Sequence, residues 1–336
     1  MLPHVSFAAA VAPALLLVRY FHLRDIYPEP PKVLWTTFFL GALIVAPVLG
    51  IVYPLHYCVG VPAGYAAQGL WVGFVYAAIP EEFFKLAVLR GYSLRQRAFD
   101  EPMDGVVYGV VASLGFAAFE NVMYVMQGGL GLALMRALTA VPAHAFMGVI
   151  MGYYVGRAQF DPQRRAHLMG KGFLYAVLVH GFYDAPLLTV RAMVEAHGDV
   201  PPERRAQAAL LILAALGVLV FAMIWAARLA RSARRDQIER RVPPPVPLPL
   251  SLPEPVGRAR GPFLLALGGT LWTLGGVAAV GGGLMLVFGE HSFGHTADRI
   301  LMIAFLGVLP IWIGRNLFRR GVIILNTARP SSTQHD

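Results

Sequence analysis

Two adjacent glutamates, a third glutamate and two histidines are the residues of this chain whose types and spacing suit hydrolysis. The run Pro80-Glu81-Glu82-Phe83-Phe84-Lys85 places Lys85 four residues after Glu81 and three after Glu82, so on a helix it reaches either carboxylate. Neighbouring helical residues point about 100° apart. An intrahelical ion pair with Lys85 therefore satisfies one glutamate and leaves the other without a partner. Glu120, in Phe116-Ala117-Ala118-Phe119-Glu120-Asn121, has no basic residue one turn away in either direction. Its partner must come from another helix: Arg136, a histidine or a metal. His180 and Asp184 lie one turn apart, where the carboxylate orients the imidazole and raises its basicity. His144 follows Pro142 and precedes Gly148, Gly152 and Gly156 on one helical face.

Such a set suits two kinds of hydrolytic centre. One is a metal site with nitrogen and oxygen ligands and a position left open for water. The other is metal-free, with a glutamate activating water and a histidine stabilising the oxyanion. Cys58 is the only cysteine, so neither a disulfide nor a thiolate cluster is available. The His-Glu-x-x-His and Gly-x-Ser-x-Gly patterns are both absent, which argues against a zincin or a serine hydrolase of those types.

The elements that must position these residues are membrane helices. Of the 336 residues, 57% are hydrophobic and only 14% charged, about half the charge of a soluble domain. With a mean hydropathy of +0.59, no soluble fold hides most of these side chains from water. The expected fold is all-α, a polytopic helix bundle with about nine transmembrane spans near 5–21, 33–53, 68–89, 105–126, 130–156, 172–191, 207–228, 262–288 and 299–318. Lys and Arg set the orientation. With the N-terminus outside and the C-terminus inside, 22 of the 28 lie in inside segments and four outside; Lys85 and Arg136 lie within spans. The net charge of +9 is thus a topology signal, and no nucleic-acid partner is expected.

The chain divides into a seven-helix block at 1–228, a basic, proline-rich linker at 229–261 and a two-helix appendage with its tail at 262–336. Charged side chains inside spans each cost about 2.5–3.5 kcal/mol on the insertion scale. Glu81, Glu82, Lys85, Glu120, Arg136 and Asp184 all fall in the third to sixth spans, so a shared polar interior is expected at 68–191. An ion or proton pathway is the main alternative use of that interior, and a non-catalytic membrane scaffold is a third.

Taken together, Glu81-Glu82-x-x-Lys85, Phe116-x-x-x-Glu120-Asn121, His144 with its glycines and His180-x-x-x-Asp184 resemble the signature of the PrsW family of intramembrane proteases, distant relatives of CAAX prenyl endopeptidases and bacteriocin-processing membrane proteins. The resemblance covers roughly 70–190. It implies a protease in a bacterial cytoplasmic membrane that cuts membrane-anchored proteins within the bilayer, notably single-span anti-sigma factors. On this reading Glu81, Glu82 and His180 are catalytic, and Lys85, Glu120, Asn121 and Asp184 support them. Where a metal is used, zinc held by His144, His180 and Glu120 is expected; a metal-free mechanism stays open.

Overall fold

The computed structural model describes residues 3–240 together with Arg315, and residues 3–240 build an all-helical bundle. Helix α1 (Pro3–His22) is followed by a loop and then by α2 (Pro31–Leu43) and α3 (Val45–Val59), which meet at Ile44. Next come α4 (Tyr65–Trp71), a π-helical stretch (Val72–Ala78) and α5 (Ile79–Gly91). Four longer elements complete the bundle: α6 (Pro102–Leu138), α7 (Ala140–Gln159), α8 (Arg165–His197) and α9 (Arg205–Arg240).

Among the described residues, five segments are long and apolar enough to cross a membrane: Pro31–Val59, Pro102–Met126, Gly128–Gln159, Arg165–His197 and Pro202–Glu239. The span expected at 5–21 corresponds to a shorter apolar helix, Phe7–His22. The span expected at 68–89 departs most from a plain helix, because it is split into α4, the π stretch and α5. Pro80 supplies the reason. It lies in the first turn of α5, where its missing N–H and its ring prevent one continuous α-helical ladder. The helix expected to end at 228 runs on to Arg240, so the first part of the segment read as a linker continues α9. The proline-rich remainder and the two C-terminal spans lie outside the described residues.

Helix α6 is the axis of the bundle. Val106, Val107, Val110, Val111 and Leu114 on it are fully buried among side chains from α1, α2 and α7. Its contact with α7 depends on glycine. A Cβ at Gly105 would lie 2.4 Å from the Gly152 carbonyl oxygen, and one at Gly152 would lie 2.1 Å from the Gly105 carbonyl oxygen. The two small-residue faces legible in the sequence are therefore halves of one interface, where backbones approach closely without side chains between them. Helix α9, by contrast, turns Leu210, Leu213 and Phe221 outward, an apolar surface suited to acyl chains.

Candidate functional site

Glycines also bring the glutamate pair to its place. A Cβ at Gly69 would strike the Thr189 hydroxyl and the Ala185 carbonyl, and one at Gly73 would lie 3.0 Å from the Ala185 nitrogen. Helix α4 and the π stretch thus lie directly against the backbone of α8, and α5 begins opposite His180. The spacing Gly69-x-x-x-Gly73 was the sequence signal for this contact, and it went unread.

Glu81, Glu82, Lys85, His144 and His180 come together and are all buried, Glu82 at 0% and Lys85 at 1% exposure. Lys85 Nζ donates to Glu82 Oε1 at 2.7 Å and to Glu81 Oε2 at 3.5 Å. It also lies 3.1 Å from His144 Nδ1 and 4.6 Å from the centre of the Phe116 ring. His180 Nδ1 stands 2.9 Å from Glu82 Oε1, and His180 Nε2 lies 3.8 Å from Glu81 Oε2. The expectation that Lys85 serves one glutamate and leaves the other without a partner is not met: Lys85 reaches both carboxylates, and His180 adds a second close contact to Glu82.

Each imidazole has one nitrogen held from outside. His180 Nε2 is 3.1 Å from Asp184 Oδ2, and His144 Nε2 is 3.1 Å from Glu120 Oε2. Each therefore turns Nδ1 toward the glutamate–lysine cluster, and the rings stand nearly perpendicular, 5.4 Å apart. Glu120 takes two of the three partners open to it, His144 and Arg136, whose Nη2 donates to Oε2 at 2.8 Å. Arg136 Nε donates at 2.9 Å to Asn121 Oδ1, and Asn121 Nδ2 donates at 2.9 Å to the Ala10 carbonyl oxygen. Arg136, which the sequence offered only as one candidate partner, thus links the site to α1. The helix break at Gly129, with φ at +69°, lets the end of α6 fold back far enough for that reach.

The donor set suits a divalent metal of borderline softness. One ligand atom each from Glu81, Glu82, His144 and His180 lies within 4.8 Å of all the others. Glu82 Oε2 is buried with no hydrogen-bond partner, and both histidines have the outer carboxylate that commonly fixes a ligating imidazole. Glu120 does not belong to that four-residue group. Its carboxylate lies 3.1 Å from His144 Nε2 and accepts from Arg136, and in the grouped donors Glu81 and Glu82 accompany the two histidines. The ionisable residues converge on one compact cluster, an arrangement suited to a reaction centre more than to a conduction path.

A family model described as PrsW family intramembrane metalloprotease matches residues 29–228. The chain is 40% identical over 182 residues to Protease PrsW of Geobacillus kaustophilus, covering 54% of this chain and 79% of that one. It is 36% identical over 179 residues to Protease PrsW of Bacillus subtilis, covering 53% and 80%. With Protease PrsW of Clostridioides difficile the identity is 29% over 188 residues, covering 54% and 79%. No solved structure matches.

Proposed function

The chain belongs to the PrsW family of intramembrane metalloproteases and is an integral membrane protease; from that premise we propose that it cuts membrane-anchored proteins, such as a single-span anti-sigma factor, at the cluster of Glu81, Glu82, His144 and His180. The observation that carries this reading is the convergence of two carboxylates and two imidazoles from α5, α7 and α8 within 4.8 Å. The Arg and Lys distribution supports an N-out, C-in orientation of about nine spans in a bacterial cytoplasmic membrane.

Each residue has a role that its contacts support. Glu81 or Glu82 accepts a proton from the attacking water, and the neighbouring Lys85 ammonium offsets the charge of the pair. His180, oriented through Nε2 by Asp184, turns Nδ1 to the reacting atoms as ligand or oxyanion donor. Glu120 holds His144 in the same manner, and Arg136 and Asn121 hold Glu120 in place. Glu81, Glu82, His144 and His180 are the residues that would hold a metal, zinc by donor type. Bound there, it would polarise the scissile carbonyl and make water a better nucleophile.

Comparing new protein termini by mass spectrometry in cells carrying wild type or Glu82→Gln tests the reading. Termini in or beside a single apolar span, seen only with wild type, support it and nominate the substrate. Matching termini in both samples across several envelope stresses count against it.

A further inference from the structure

A second cluster, at the start of α6, takes no part in the proteolytic site. Asp25 and Glu29 come from the loop between α1 and α2, Asp104 from the first turn of α6, and Gln237 from the end of α9. All four are buried, and one oxygen from each of Asp25, Glu29 and Asp104 lies within 4.8 Å of the others. Oxygens bound to one Ca²⁺ at about 2.3–2.6 Å are never more than about 5 Å apart.

The protein fixes one side of each group. Asp104 Oδ2 accepts from the backbone N–H groups of Asp100 at 2.7 Å and Glu101 at 2.8 Å. Asp25 Oδ1 accepts from the Tyr27 N–H at 3.2 Å and from Gln237 Nε2 at 2.8 Å. Gln237 Nε2 donates to Glu101 as well, and the Tyr108 hydroxyl donates to Glu29. The opposite atoms are unsatisfied: Asp25 Oδ2, Asp104 Oδ1 and the amide oxygen of Gln237 are buried and have no hydrogen-bond partner among the described residues. Gln237 is decisive because it is uncharged, only 5% exposed, and delivered by a different helix. Its amide is anchored into the carboxylate cluster through Nε2 while its acceptor oxygen stays empty. A buried acceptor left unpaired is costly, and more so for a carboxylate. A cation would satisfy three such oxygens, on three elements, together.

We propose that Asp25, Glu29, Asp104 and Gln237 bind a hard divalent cation, Ca²⁺ or Mg²⁺, that clasps the end of α9 and the α1–α2 loop to the start of α6. The grouped donors are all oxygen, which suits these ions and not zinc. The inference stands independently of the proteolytic assignment.

Tyr108 provides a built-in reporter, because its hydroxyl contacts Glu29 and its ring can sensitise terbium emission. The full-length chain in detergent, stripped with chelator, is titrated with Tb³⁺ under tyrosine excitation and then back-titrated with Ca²⁺ or Mg²⁺. Sensitised emission is expected in wild type and in Glu82→Gln, and Asp25→Asn/Glu29→Gln abolishes it. The ion that displaces Tb³⁺ at the lower concentration identifies the natural occupant. Should the double variant not fold, Gln237→Met keeps every carboxylate and is expected to weaken displacement by about 10-fold or more. Tyr108→Phe loses the emission yet keeps the rise in unfolding temperature that the natural cation produces. Emission that survives Asp25→Asn/Glu29→Gln or is indifferent to Gln237→Met overturns the proposal. So does an unfolding temperature that neither Ca²⁺ nor Mg²⁺ raises.

Discussion

Lys85 stands where a cation is needed, and replacing it by methionine tests what that ammonium does. The side chain is 1% exposed, with Glu82 at 2.7 Å and Glu81 at 3.5 Å. At an effective dielectric of about 20 these contacts are worth about 6 and about 5 kcal/mol of gross attraction. The cost of burying the ammonium offsets several kcal/mol of that. Removing one partner from a buried ion cluster nevertheless costs about 3–5 kcal/mol, because the carboxylates stay behind unpaired. Methionine keeps most of the volume of the stem, so a cavity adds little. In protein stripped of divalent metal, the loss corresponds to a fall of about 6–20 °C in unfolding temperature for a domain of this size. Zinc is expected to change the outcome, because a zinc ion at the proposed site would draw on the carboxylates and imidazole that Lys85 engages. With saturating Zn²⁺ the deficit of Lys85→Met is expected to shrink by at least half, and zinc binds the variant more tightly than wild type. Thermal unfolding in detergent, followed by tryptophan fluorescence with chelator and across a zinc titration, reads both quantities. An equal deficit with and without zinc, together with unchanged affinity, would refute the idea that ammonium and metal compete for one set of donors.

Three further outcomes are expected. Glu81→Gln, Glu82→Gln and His180→Ala each abolish substrate cleavage while membrane levels stay normal; full activity in all three would sink the assignment. Asp184→Asn removes the carboxylate on His180 Nε2, so metal affinity and cleavage fall by about 10–100-fold, measured by chelator competition and by turnover of a single-span reporter. Gly152→Leu forces a side chain where a Cβ already lies 2.1 Å from the Gly105 carbonyl oxygen. Backbone cannot yield as a side chain does, so overpacking costs at least about 1–3 kcal/mol, and limited proteolysis of membranes should show an opened α6–α7 pair.

The site was legible in the sequence because burying charge in a membrane is expensive. Glu81, Glu82, Glu120 and Asp184 stand out in spans that otherwise hold apolar residues, and the i+4 relation of His180 to Asp184 survives intact in the structure. The glycine face of α7 was legible from spacing, since Gly148 and Gly152 recur one turn apart, as Gly105 and Gly109 do on α6. Depth was not legible. Counting residues along ideal helices places Glu82 and Glu120 at different levels, whereas both lie beside His180 and His144. The role of Glu120 was also hidden. Spacing shows that it needs a partner on another element, but only the break at Gly129 brings Arg136 back to it. Asp25, Glu29 and Asp104 went unread because they flank the spans, where acidic residues are usually solvated.

The two carboxylate clusters lie beside different stretches of one helix. Asp104 and Glu120 are sixteen residues apart on α6, about 24 Å at the helical rise. At the Glu120 end carboxylates are joined by imidazoles, whose nitrogens favour zinc over the alkaline-earth ions. At the Asp104 end the grouped donors are carboxylates alone, with the amide oxygen of Gln237 beside them. Affinity of mixed donors for transition metals exceeds that for Ca²⁺ or Mg²⁺ by so much that selectivity must come from withholding nitrogen. The second cluster does so, and it also lacks the lysine that neutralises the first. The Lys85 ammonium offsets the charge of the Glu81–Glu82 pair, and a metal at that cluster would have to compete with it. The Asp104 cluster has the opposite arrangement: its three unpartnered oxygens gain most when a cation arrives, and that gain is spent on holding α9 against the rest of the bundle.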